Sequence, residues 1–143
     1  MTNDESLRSL LQAVANGNVS LDVALDELKY LAYEPVGEFA KIDNHRAIRT
    51  GFPEVIWGPG KTPSQIAQIM ETMRLRNPVV MATRIVPEIY AALQPKVRDL
   101  RYYESARICA IAPPNLQPRY PGTIGIISAG TADLPVAEEA AVT

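Results

Sequence analysis

The 143-residue sequence has one cysteine, Cys109, one histidine, His45, one tryptophan and two phenylalanines. A single cysteine closes no disulfide within the chain, so a reducing compartment is the natural setting. A single histidine excludes a multi-histidine metal centre, and no metal site is expected within these residues. No apolar run approaches the roughly 18 residues needed to cross a bilayer. The opening Met1-Thr2-Asn3-Asp4-Glu5 is acidic, where a secretion signal begins basic. Excess basic charge is missing too: the formal net charge is −2, which argues against a general nucleic-acid binder. These absences leave a cytoplasmic protein with neither nucleic acid nor membrane as partner. With 47% hydrophobic and 21% charged residues, the chain has the composition of a folded domain.

Proline and periodic apolar residues divide what is there. Leu7, Leu10, Leu11 and Val14 repeat with helical spacing, and Asn16-Gly17-Asn18 supplies a helix stop. Ser20 is a good N-cap for a second helix with an apolar stripe of Leu21, Ala24, Leu25, Leu28, Leu31 and Ala32, which Pro35 is expected to end. Residues 1–35 therefore read as a helical hairpin with one apolar side, too small to hold a core alone.

Residues 36–112 read as a small mixed α/β domain. Glu54–Trp57 is a short strand candidate, followed by a turn at Gly58-Pro59-Gly60. Thr62 as N-cap, Pro63 at the first helical position and Gln65 completing a capping box then announce a helix lined by Ile66, Ile69, Met70 and Met73. Asn77-Pro78 stops it, and Val79–Thr83 is an apolar run of buried-strand type, so strand, helix and strand form a βαβ crossover. A shorter helix over Pro87–Leu93 and strand material between Val97 and Ile111 complete the domain.

Four prolines in residues 113–121 predict an extended, stiff linker. The pattern then restarts, with a strand over Gly122–Ile127, a tight loop over Ser128–Asp133 and a helix from Leu134. One strand and part of one helix cannot bury a sheet on both faces, so 122–143 reads as the start of an incomplete parallel-sheet domain.

The segment Ser128-Ala129-Gly130-Thr131-Ala132-Asp133-Leu134-Pro135 carries the most chemistry. Small residues between a strand and a helix let backbone N–H groups approach a ligand, and the helix N-terminus favours an anion such as phosphate. Ser128, Gly130, Thr131 and Asp133 are the substrate-binding candidates. Thr131 has a hydroxyl for a phosphate oxygen. Asp133 either accepts from ribose hydroxyls or caps the helix, and the residues leave both readings open.

The string from Ser128 to Thr143 resembles the opening of the carboxylase-like domain of the LarB family, which is similar to phosphoribosyl-aminoimidazole (AIR) carboxylase. A second match, Phe39 to Ile56, resembles the Asp-x-His-Arg-x-x-Arg-x-Gly-x-Pro-Glu-Val segment of the LarB N-terminal domain. Gly60-Lys61-Thr62-Pro63 and Ala82-Thr83-Arg84 extend the likeness over most of the chain beyond Pro35. The resemblance implies a flavodoxin-like domain after residue 122. It also implies a synthase of the nickel-pincer cofactor pathway, making pyridinium-3,5-biscarboxylic acid mononucleotide. Such enzymes carboxylate the pyridinium ring of nicotinate adenine dinucleotide with carbon dioxide or bicarbonate and cleave its phosphoanhydride, releasing AMP.

The same resemblance implies a homo-oligomer when full length, with Mg as the one candidate cofactor of the full-length enzyme. The family's catalytic cysteine and carboxylate are expected beyond Thr143, so residues 1–143 alone are expected to be inactive. Cys109 does not match the catalytic position and reads as a core residue. The relatives' loop usually has serine where this one has Ala132, which removes one hydroxyl contact. Two alternatives stand beside the synthase: an AIR carboxylase of purine synthesis, and a regulatory or assembly module of the circadian phase-modifier kind.

Asp43, His45, Arg46 and Arg49 form an anion-binding or interface candidate. Arg46 and Arg49 are spaced to clamp a carboxylate or phosphate. Pairing with Asp43, Glu38 or Glu54 to fix packing is the competing reading. Glu138 and Glu139 lie near a helix N-terminus, where the dipole accounts for them.

Overall fold

A computed structural model describes residues 3–28, 33–44, 46, 50–116 and 121–143. The chain has the expected mixed α/β character and divides into two units, Met1–Glu54 and Val55–Thr143. The sequence reading divides the chain at 35/36, 112/113 and 121/122.

The first unit begins with helix α1 (Asn3–Ala15) and helix α2 (Leu21–Leu28), which pack together. The Gly17 N–H bonds to the Val14 carbonyl and the Asn18 N–H to that of Ala13, closing α1 as its Asn-Gly-Asn sequence predicts. The Ser20 hydroxyl accepts from the Val23 N–H at 3.3 Å, the expected cap of α2. Leu10 and Ala24 are buried, whereas Leu11, Leu21 and Leu25 are exposed. Leu31 and Ala32 of the expected stripe lie outside the described residues.

Pro35 is not a helix terminator. It lies inside strand β1 (Tyr33–Val36), which pairs antiparallel with β2 (Ala40–Asp43) in register Tyr33↔Asp43 and Val36↔Ala40. Proline is tolerated there because β1 has a pairing partner on one side only within its two-stranded sheet. The reversal needs Gly37 at φ +54°, where a Cβ would come within 2.9 Å of the Phe39 ring. Val36 and Ile42 are buried in the unit's small core.

The second unit is built on a four-stranded sheet of order β3-β4-β6-β5. Strand β3 (Ile56–Trp57), shorter than expected, runs parallel to β4 (Val80–Thr83). Strand β6 (Ile108–Ile111) pairs antiparallel with both β4 and β5 (Arg101–Tyr103). Helix α3 (Pro63–Arg74) makes the crossover from β3 to β4, and helix α4 (Pro87–Leu93) packs against it. Every residue of β4 and β6 is buried, as befits the two central strands. From α3, Ile66, Ile69, Met70 and Met73 fill the core, each burial contributing about 1.5–3 kcal/mol. Tyr90 of α4 stacks on Tyr102 of β5 with ring centroids 4.5 Å apart.

The start of α3 follows its sequence signature. The Thr62 hydroxyl accepts from the Gln65 N–H at 3.3 Å, and the Gln65 side-chain carbonyl accepts from the Thr62 N–H at 2.9 Å. Thr62→Ala should cost about 1 kcal/mol. Urea unfolding checks this, and an unchanged midpoint would mean the cap does not hold α3.

Residues 122–127 do not form the expected strand. They pair with no strand among the described residues, and Ile124 and Ile127 are 91% and 97% exposed. Apolar β-pattern residues form a strand only where a neighbouring edge takes up their N–H and C=O groups. Helix α5 (Leu134–Val142) does form. Of the linker, residues 117–120 lie outside the described residues.

Candidate functional site

The Ser128–Asp133 loop leads directly into α5. Its last residues form a turn, closed by an Asp133 N–H to Gly130 carbonyl bond of 3.2 Å. The Asp133 carbonyl then accepts from the Val136 and Ala137 N–H groups. Asp133 occupies the cap position with helical backbone angles, φ −86° and ψ −15°, and its side chain makes no capping bond. Of the two sequence readings of Asp133, the structural cap is thus not made. The carboxylate instead leans towards Gly130, 3.8 Å from where a Cβ would stand there. An open concavity of about 470 Å³ is lined by Ile126, Ile127, Ser128, Ala129 and Asp133 together with Val136, Ala137 and Ala140 of α5. Thr131 is exposed. Small side chains and a helix N-terminus facing solvent suit an anionic ligand.

A second cluster lies where the two parallel strands end. Trp57 is the last residue of β3, and Arg84 follows the last residue of β4, in register Trp57↔Thr83. The Gly58 N–H bonds to the Thr83 carbonyl at 3.0 Å, tying the two strand ends together. Arg84 has φ +59°, a left-handed conformation that costs a bulky residue about 1 kcal/mol or more. Its neighbours hold it there. The Ile85 N–H bonds to the Arg107 carbonyl at 2.8 Å, and the Tyr102 hydroxyl donates to the Ile85 carbonyl at 2.9 Å. The conformation places the Arg84 guanidinium carbon 5.7 Å from the Trp57 ring centroid, a cation–π distance. Lys61 donates from Nζ to the Trp57 carbonyl at 2.7 Å.

Arg84 also meets α5, its Nε 2.8 Å from Glu139 Oε2. This is a close charge contact and not an aligned hydrogen bond, since the buried Nε–H has no hydrogen-bonded partner. Glu139 therefore does more than answer the helix dipole. The sequence offered no role for Trp57, Lys61 or Arg84, although Gly60–Pro63 and Ala82–Arg84 were both among the matching pieces.

The Asp43 to Arg49 candidates are only partly described. Asp43 closes β2 opposite Tyr33, and Arg46 pairs with Glu54 at 3.6 Å, one of the partners the sequence named. His45 and Arg49 lie outside the described residues. Among the described residues no cluster of three or more histidine, cysteine or acidic side chains could hold a metal ion, and no helix is long and apolar enough to cross a membrane. Cys109 is fully buried in β6 opposite Ala82 and Tyr102, and burial pushes its thiol up to about 12. A thiol held neutral in a core is no nucleophile.

The chain belongs to the LarB/PurE-like N-terminal domain family: residues 33–113, more than half of its length, match that family. This sets it in the LarB-like or AIR carboxylase-like superfamily. It is 36% identical, over a match 143 residues long, to an uncharacterized protein of Methanocaldococcus jannaschii. The alignment takes in 95% of this chain and 55% of the relative, so the chain spans about half the length of the curated relative it matches.

Proposed function

We propose that these residues are the amino-terminal portion of a pyridinium-3,5-biscarboxylic acid mononucleotide synthase. The enzyme carboxylates the pyridinium ring of nicotinate adenine dinucleotide, using carbon dioxide or bicarbonate, and cleaves the phosphoanhydride to release AMP. The observation that carries this reading is the order of two features along one chain. A LarB/PurE-like N-terminal domain over residues 33–113 is followed by a small-residue loop, Ser128–Asp133, opening a helix. That loop has the chemistry to hold a phosphate of the dinucleotide. Backbone N–H groups and the α5 dipole favour the anion, the Thr131 hydroxyl is exposed to donate to it, and the uncapping Asp133 carboxylate is placed to accept from ribose hydroxyls. In this reading Cys109, buried in β6, takes no part in the carboxylation.

The test is turnover. The gene product that carries these residues is incubated with nicotinate adenine dinucleotide and bicarbonate, and AMP and the dicarboxylated mononucleotide are followed by mass spectrometry. Both products are expected, and residues 1–143 alone should yield neither. Turnover of aminoimidazole ribonucleotide with the dinucleotide left intact would replace this reading with a purine-type carboxylase. A folded protein with no affinity for any nucleotide would replace it with a regulatory module.

A further inference from the structure

Trp57, Lys61 and Arg84 have no part in the loop at 128–133, yet their arrangement is specific. They stand at the carboxyl ends of two parallel strands, where open α/β sheets receive ligands. Trp57 is 55% exposed although it ends a strand in the sheet, so a large aromatic surface is kept in contact with water. Arg84 lies over the ring, and a second cation, Lys61, is tied to the backbone of the same residue through the Trp57 carbonyl. Arg84 is held there in a left-handed conformation by fixed backbone bonds on its carboxyl side, and strain of that kind is retained where the side chain's direction matters.

The guanidinium already has an anion against it. Glu139 brings a carboxylate within 2.8 Å of Nε, without an aligned hydrogen bond, and the pair is partly exposed at 36% and 22%. With its Nε buried and no hydrogen bond aligned to it, the guanidinium is left under-satisfied by this contact. A phosphate offers more acceptor oxygens than a single carboxylate oxygen at poor angle, and takes the guanidinium bidentately.

The geometry points to a ligand subsite for a phosphorylated heteroaromatic ring, a nucleotide, stacked on Trp57 with its phosphate on Arg84 and Lys61. Glu139 stands in for that phosphate when the subsite is empty. The inference rests on the reading of the protein as a nucleotide-handling synthase, and would assign these residues to the adenylyl half of its substrate. The combination selects for both parts of the ligand: the ring supplies stacking, the phosphate supplies charge, and neither alone satisfies the site.

Trp57 is the only tryptophan, so its fluorescence reports directly on the subsite. The protein is titrated with AMP, with adenosine and with inorganic phosphate. AMP should quench saturably, with adenosine and phosphate each at least tenfold weaker. Arg84→Gln should weaken AMP tenfold or more, and Lys61→Gln severalfold. Glu139→Gln should tighten AMP severalfold, because it removes the competing carboxylate. That gain is a readout a purely structural ion pair would not give, and it survives even if the Arg84 variant fails to fold. No response to millimolar AMP, or an affinity unchanged or weakened in Glu139→Gln, would overturn the subsite. AMP binding with these responses but no dinucleotide turnover would leave the subsite standing and the synthase reading fallen. Turnover with Trp57 blind to AMP would do the reverse.

Discussion

Gly58→Ala is expected to destabilise the second unit by about 3 kcal/mol, at the upper end of what overpacking costs. A Cβ at this position would stand 2.7 Å from the Thr83 carbonyl oxygen and 2.5 Å from Ile85 Cδ1. Neither neighbour can give way cheaply. The Thr83 carbonyl accepts the Gly58 N–H, so moving it breaks the bond that ties β3 to β4, and Ile85 is fully buried. The effect exceeds that of losing the Thr62 cap, because backbone is displaced where the cap loses one side-chain bond. Urea unfolding followed by Trp57 fluorescence measures it. Gly125→Ala is the control, since a Cβ there meets nothing within 4 Å. If both variants unfolded at the wild-type midpoint, the two strand ends would not be clamped together.

The same corner shows what was legible in the sequence and what was not. Helix α3 was fully written there: Thr62, Pro63 and Gln65 act within one turn, and the Ile66, Ile69, Met70, Met73 stripe needs only helical spacing. Strand β4 was equally plain, an apolar run that four buried residues fulfil. The Arg84–Trp57 contact was invisible because it depends on the parallel register that sets Trp57 opposite Thr83, and on a backbone angle fixed by Arg107 and Tyr102. Those bonds join residues far apart in the chain, which no local pattern encodes.

The hairpin of β1 and β2 escapes a sequence reading for a different reason. Pro35 is a strong helix breaker, but an edge strand tolerates it equally well, and the residue alone does not separate the two. The segment 122–127 is the converse case. Gly122–Ile127 has the composition of a strand, but a strand is a property of a pair, and this segment has no partner among the described residues. The candidate loop that follows was visible as composition, small residues ahead of a helix. That Asp133 leaves its own helix uncapped was not, because both conformations fit the same residues.

Raising the pH from 8 to 11 should weaken the second unit through Cys109. Its thiol ordinarily titrates near 9.0, and burial in β6 pushes it up to about 12. The folded state therefore holds the thiol proton more tightly than the unfolded chain does. The associated stability is fully present below pH 9 and is lost as pH rises towards 12. Each pH step of one between those limits removes ~1.4 kcal/mol, so roughly 2–3 kcal/mol should be gone by about pH 11. That is a large part of the total stability of a small domain. Tyr102 acts in the same direction: burial, then the neighbouring Cys109, raises its pKa, and its hydroxyl donates to the Ile85 carbonyl, a bond lost on ionisation. Cys109→Ala separates the two. It should cost about 1 kcal/mol at neutral pH from the small cavity it leaves, yet lose less stability than the wild type on going to high pH. The part of the remaining slope that Tyr102→Phe removes belongs to Tyr102. A thiol reagent at pH 8 should label Cys109 only at the rate of unfolding, since the side chain is fully buried. Immediate labelling, or a wild-type stability flat from pH 8 to 11, would mean that β6 opens readily and that the sheet's centre is not where the second unit's stability resides.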